Sequence, residues 1–123
     1  MCPFCELPDS RIWHENEHFF VVKDAFPVCH CHSLVIARRH DASIFSLSSA
    51  ECDDLNRMLR WIKNAIDELA QPSGYNLGVN EGRAAGQTVS HLHVHVIPRY
   101  PDDQPDPRGG VRWVLPEKAI YWE

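Results

Sequence analysis

Nowhere in the 123 residues does an apolar run approach the roughly 20 residues of a membrane span, so no membrane partner is expected. Basic residues are in deficit: 12 Lys+Arg stand against 17 Asp+Glu, a formal net charge of -5. A general nucleic-acid binder needs a basic face to exchange for phosphate counterions, and this shortfall argues against one. A small anionic ligand is still admissible, because local dipoles and a few arginines can act inside an acidic protein. The opening Met1-Cys2-Pro3-Phe4-Cys5-Glu6 lacks the basic and apolar regions of a secretory signal. The five cysteines are odd in number, which argues against a disulfide framework and for metal ligands or free thiols. Repeats and low-complexity linkers are absent as well. The expectation is a cytoplasmic protein folded as one domain over 1–123, with 44% hydrophobic residues to supply its core.

What is present orders itself around one long helix. Ser48 and Glu51 have the spacing of a capping box. Leu55, Met58, Leu59, Ile62, Ile66 and Leu69 then recur at intervals of three and four, forming an apolar stripe that ends before Pro72 and Gly74. Met58 and Trp61 read as packing residues, and no organic cofactor is expected. Strands are expected over Phe19 to about Asp24, over Leu34–Ala37, over Tyr75–Asn80, and over His91–Ile97 with Pro98 as its stop. Val111–Leu115 has the look of a last short strand, and Pro101–Pro107 that of an exposed loop. The fold class is therefore α+β, an antiparallel sheet of about five strands covered by one helix.

Histidine carries the chemistry. In His91-Leu92-His93-Val94-His95-Val96-Ile97 the residues alternate, so a strand points all three histidines to one face and Leu92, Val94 and Val96 to the other. The apolar face is explained by a core; three imidazoles in register are not. Such a row can converge on a metal. Alternatively, its middle imidazole can be a nucleophile, since neutral histidine attacks phosphorus without a separate base. The preceding Ala85-Gly86-Gln87-Thr88-Val89-Ser90 can supply backbone N–H groups and the side chains of Gln87 and Thr88 to an anion, with Gly86 permitting close approach.

The stretch from Asn80 to Arg99, Asn80-Glu81-Gly82-Arg83-Ala84-Ala85-Gly86-Gln87-Thr88-Val89-Ser90-His91-Leu92-His93-Val94-His95-Val96-Ile97-Pro98-Arg99, closely resembles the signature of the histidine triad (HIT) family of nucleotide hydrolases and transferases. Glu15–Asp24, Pro27-Val28 and His32–Ile36 resemble the family's nucleoside-binding strands, and Pro107–Arg112 resembles a C-terminal stretch of bacterial members. The resemblance implies a HIT-like fold and a homodimer. It implies that His93 is the nucleophile that takes a nucleotidyl group at its α-phosphate, with His95 and Thr88 supporting the phosphate and leaving group. Asn80, Gly86 and Gln87 would line the phosphate site, Asp24 would bind the ribose hydroxyls, and His32 would lie against the α-phosphate. The implied ligand is a purine nucleotide, a dinucleoside polyphosphate or a nucleoside phosphoramidate. Two departures stand out: His30 and Cys31 replace the usual Pro-Gly before His32, and Ala37 replaces a common proline. The turn before His32 is accordingly expected to be built differently.

Cys2-Pro3-Phe4-Cys5 supplies two of the four ligands of a zinc site, and alone it reads equally as a redox pair or two plain thiols. The family resemblance completes the set with His40 and His91, implying a closed, structural Zn²⁺ site. Cys29-His30-Cys31-His32 looks like a second cluster, but an extended chain turns its cysteines and histidines to opposite sides. Cys52 reads as a partly buried thiol. Arg38 and Arg39 read as a solvated rim, whereas Arg99, Arg108 and Arg112 are candidates for distal phosphates. Trp113, Tyr121 and Trp122 suit base stacking or a dimer interface equally well. Two alternatives to the hydrolase stay open: a zinc hydrolase with triad histidines as ligands, and a non-catalytic nucleotide sensor.

Overall fold

The computed structural model describes residues 2–123. Five strands form one antiparallel sheet: β1 (Ile12–Glu15), β2 (Phe19–Lys23), β3 (Ser33–Ala37), β4 (Gly74–Gly78) and β5 (His93–Arg99), in the order β1-β2-β3-β5-β4. The helix α1 (Ser49–Ala70) connects β3 to β4 and covers one face. Its start is the capping box anticipated from Ser48 and Glu51, with the Ser48 hydroxyl accepting from the Glu51 N–H and the Glu51 carboxylate accepting from the Ser48 N–H. Arg39 grips the same carboxylate at 3.1 Å, and this pair holds Glu51 down at about 2. Arg39 is thus a partner of the helix cap and not merely a rim residue.

Strand pairing sorts the side chains into two layers. Phe19, Val21, Val35, Ala37, Val94 and Val96 face α1 and close on Met58, Ile62 and Ile66. Burial of side chains of this size contributes about 1.5–3 kcal/mol each. Leu69 falls off this stripe and is 60% exposed, while Ala70 takes its place against the core. On the opposite face, the registers align Phe20 with Ile36 and Val22 with Leu34, then Ile36 with His93 and Leu34 with His95. An apolar floor therefore continues sideways into the histidines. Phe4, Leu7 and Ile12 cover that floor.

Four expectations are corrected. β1, which has too few alternating residues to stand out, pairs with β2 through a register shift between Ile12 and His14. Pro98 does not end β5 but lies within it, paired with Tyr75. Its carbonyl accepts from the Cys29 thiol, whereas the carbonyl of neighbouring Arg99 accepts from Ser73 beyond β4. The missing N–H of Pro98 thus faces away from β4, past the last β3 pair Ser33–Val96, where no ladder bond is required. Val111–Leu115 is not a strand: Gly110–Val114 forms a 3₁₀ turn that starts across two glycines with positive φ, Gly109 at 95° and Gly110 at 47°, and Pro116 opens another. Cys52 is exposed rather than partly buried.

Candidate functional site

β5 presents His93, His95, Ile97 and Arg99 on the face away from α1, and three main-chain groups assign the proton positions of the imidazoles. His93 Nδ1 lies 2.8 Å from the His91 carbonyl oxygen, an acceptor only, so Nδ1 carries the hydrogen and Nε2 keeps a lone pair. His32 Nδ1 accepts from the Val28 N–H at 3.1 Å, so its hydrogen is on Nε2 and is donated to His95 Nδ1 at 2.9 Å. His95 therefore carries its hydrogen on Nε2. The His93 and His95 rings stand with centroids 5.2 Å apart, one with a free Nε2 lone pair and the other with an Nε2–H. A nucleophile and a proton donor are side by side.

Asp24 stands beneath this chain. Its Oδ1 accepts from the Phe26 N–H at 2.9 Å, and its Oδ2 lies 3.4 Å from His32 Nε2 and 4.0 Å from His95 Nδ1. Asp24, His32 and His95 could be grouped around a cation, but the hydrogen on His32 Nε2 bonds His95 and leaves no lone pair there for a metal. Burial pushes His32, His91 and His95 below the ordinary histidine range; the neighbouring rings add to this at His95, and Asp24 only partly opposes it at His32 and His95.

The turn before His32 carries a left-handed residue that is not glycine. Cys31 takes φ 68°, the conformation glycine adopts without strain, and buries its side chain in the core. The other members of Cys29-His30-Cys31-His32 have separate partners: Cys29 bonds Pro98, the His30 carbonyl accepts from Tyr100, and His32 serves His95. They form no joint cluster.

The loop before β5 is self-braced. The Gln87 amide accepts from the Gly82 N–H at 2.9 Å and donates to the Val89 carbonyl at 3.1 Å, so its side chain holds the loop in shape. Gly86 caps the short turn Arg83–Ala85 with φ 90°. Thr88 and Asn80 are exposed, Asn80 two residues beyond Gly78, the partner of His95. Glu81 was outside the expectations: its carboxylate accepts from Ser43 Oγ at 2.9 Å and from the Ile44 N–H at 3.1 Å, fastening this loop to the one after β3. It lies within the Asn80–Arg99 stretch, but nothing in that stretch marks its fastening role.

Cys2, Cys5, His40 and His91 converge at the end of the histidine row, their ligand atoms all within 4.8 Å of one another. His91 Nε2 donates to the Ala37 carbonyl, which leaves the Nδ1 lone pair facing Cys2 Sγ at 3.4 Å, Cys5 Sγ at 3.5 Å and His40 Nδ1 at 3.2 Å. Cys5 Sγ lies 3.2 Å from His40 Nδ1. Two nitrogens and two sulfurs at ordinary zinc bond lengths stand about 3.3–3.8 Å apart along the edges of a tetrahedron. The donor set and its spacing fit that ion. Phe4, between the two cysteines, sets its ring edge against His93 with centroids 4.9 Å apart, a contact with no counterpart among the expectations.

None of the candidate phosphate arginines is free. Arg99 binds Asp103 through two nitrogens at 2.8 Å and Asn76 at 2.7 Å; Arg108 binds Asp106; Arg112 donates to the carbonyls of Ala119 and Lys118. Arg38 pairs with Glu15.

The depressed histidines set a sign for acid sensitivity. The unfolded chain takes up protons near pH 6.5 while folded His32 and His95 resist them, so stability is full above about pH 6.5 and falls as the pH drops below it. Urea unfolding should show a lower midpoint at about pH 5.5 than at about pH 7.5, and a smaller difference for His95→Gln.

Comparison with known proteins agrees with this geometry. The HIT domain model matches residues 6–102. A bis(5'-nucleosyl)-tetraphosphatase [asymmetrical] of Schizosaccharomyces pombe is 38% identical over 97 residues, 78% of this chain and 53% of that protein. The crystal structure of a HIT family protein from Bacillus anthracis superposes with a TM-score of 0.74 at 37% identity, covering 82% of this chain and 74% of that one. A structure described as a zinc-bound histidine triad family protein from Mycobacterium smegmatis gives a TM-score of 0.71 at 29% identity, covering 92% and 89%. With most of its length matched by the family model, and its triad set on a five-stranded sheet backed by one helix, the chain belongs to the HIT family.

Proposed function

We propose that the chain is a nucleotidyl hydrolase that works through a covalent intermediate on His93. The observation that carries this reading is the opposed protonation of two neighbouring rings, His93 with a free Nε2 and His95 with an Nε2–H. His93 Nε2 attacks the α-phosphorus and forms a P–N bond as the bond to the leaving group breaks. The His95 Nε2–H donates a hydrogen bond to the departing oxygen or nitrogen and stabilises its developing charge, and a nitrogen leaving group takes its proton from solvent. Water then attacks the nucleotidyl group and yields its proton to solvent as the P–N bond breaks to return His93. Thr88 and the Gly86 backbone support the phosphate oxygens, Gln87 keeps their loop in shape, and Asn80 lines the same side. Asp24 has two tasks in this reading: it steadies the His32–His95 pair and receives the ribose hydroxyls.

The substrate is a purine dinucleoside polyphosphate or a nucleoside phosphoramidate. The name of the S. pombe relative supports the former. Brief, quenched incubation with diadenosine tetraphosphate or adenosine phosphoramidate should give an adenylyl-sized mass increase on the intact chain and release free nucleotide. His93→Ala should lose the adduct and at least about 100-fold of the turnover. Turnover that survives His93→Ala but stops on metal removal favours the zinc hydrolase; tight nucleotide binding without turnover favours the sensor.

The Cys2, Cys5, His40 and His91 set is proposed to hold one structural Zn²⁺. The ion would clamp the N-terminal segment, and with it Phe4, onto the histidine row. Zinc analysis should find one ion per chain, and Cys5→Ser should lose it together with several degrees of thermal stability. Retention of the ion in that variant would refute the ligand set.

A homodimer is also proposed, since β4 is a sheet edge and carries Leu77, which is half exposed, while Leu69 at the end of α1 is exposed as well. Light scattering should return twice the 14.1 kDa chain mass, and a monomer would refute the assembly.

A further inference from the structure

Residues 103–123 lie beyond the part of the chain that the HIT model matches, yet they fold back onto the sheet. The Trp113 indole N–H donates to the Arg108 carbonyl at 2.9 Å, and Ala119 is fully buried. Between this tail and the sheet lies a cavity of about 780 Å³, with Asn76 and Ile97 on the sheet side and Trp113, Ile120 and Trp122 on the tail side. That volume falls within the range of about 300–1,000 Å³ typical of small-molecule sites.

The paired glycines make this chamber possible. A Cβ on Gly109 would stand 3.1 Å from the Trp113 indole nitrogen and 3.4 Å from the Trp122 ring, at a φ of 95° that disfavours any side chain. One on Gly110 would meet the Asn76 amide nitrogen at 3.3 Å. The Arg108-Gly109-Gly110 turn thus lets both indoles and Asn76 come to the same space.

The chamber continues the histidine site. Ile97 follows His95 on the same face of β5, about 13 Å along the strand from His93. Val28, a wall of the cavity, also gives its N–H to His32. The charges on the walls are balanced: Arg99 pairs with Asp103, and Asp106 pairs with Arg108. Neither a phosphate nor a cation is favoured there. The Asn76 Oδ1 is taken by Arg99, leaving its N–H groups as donors into the cavity. Two indoles, apolar walls, balanced charge and one amide donor suit a neutral, planar heteroaromatic ring.

We propose that this chamber is the leaving-group subsite, and that it receives the base of the second nucleoside of a dinucleoside polyphosphate whose reacting phosphate lies at His93 and His95. The assignment takes its substrate class from the nucleotidyl-transfer reading above, but the binding site stands on its own walls.

Photolabelling separates the two. His93→Ala protein, which should not turn over, is irradiated with diadenosine tetraphosphate carrying 8-azidoadenine and, separately, with 8-azidoadenosine monophosphate. The dinucleotide should label the tail tryptic peptides Trp113–Lys118 and Ala119–Glu123, and the mononucleotide should not. Labelling elsewhere with an unlabelled tail, equal tail labelling by the mononucleotide, or no labelling at all overturns the subsite. Tail labelling without turnover by the wild-type protein upholds it and removes the hydrolase. Where turnover is present, Trp122→Ala should lower the ratio of kcat/KM for diadenosine tetraphosphate over adenosine phosphoramidate about tenfold, the weight of one base–indole stack. An unchanged ratio, including an equal fall on both substrates, overturns the assignment.

Discussion

His91 has three bonds in three directions, and the site hangs on them. Its Nε2–H holds the Ala37 carbonyl at the end of β3, its Nδ1 faces the two cysteines and His40, and its own carbonyl takes the Nδ1–H of His93. The first bond fixes which nitrogen is offered to the cysteine cluster. The third fixes which nitrogen of His93 is left bare. One buried residue therefore links strand pairing, the N-terminal segment and the reactive imidazole, and its burial keeps competing water from those bonds.

Around this point the sheet face is divided in three. Phe4, Leu7 and Ile12 cover the β1–β2–β3 side, and the tail covers the β4–β5 side. The histidines lie between the covers, with His95 the more accessible of the last two. The helix contributes nothing to this face directly. Its part is to hold the opposite side of the same strands still, through Met58, Ile62 and Ile66, so that alternate residues of β5 keep a fixed direction.

Much of this was legible in the residues because it rests on simple periods. Alternation in His91–Ile97 separates core from chemistry, and spacing of three and four marks α1 and its cap. The short β1 and the tail were not legible for the same reason: neither has a period of its own. Val111–Leu115 is rich in strand-forming side chains, but Gly109, Gly110 and Pro116 bend the backbone around Arg112, whose guanidinium collects two carbonyls. Pro98 looked like a stop because a proline inside a strand costs a ladder bond, and only the sheet order reveals that the bond is not needed there. The fastening role of Glu81 has no local sign, since its partners Ser43 and Ile44 lie far back in the chain.

The polarity of His93 is written in main chain. A carbonyl oxygen sets it, and no side-chain substitution deletes a carbonyl. Neighbouring side chains can therefore differ while the reactive nitrogen stays turned the same way, and Cys31 stands in a left-handed turn position that glycine would suit. Diversity is free to collect in the N-terminal cover and in the tail, where a new specificity can be tried without disturbing the proton bookkeeping beneath it.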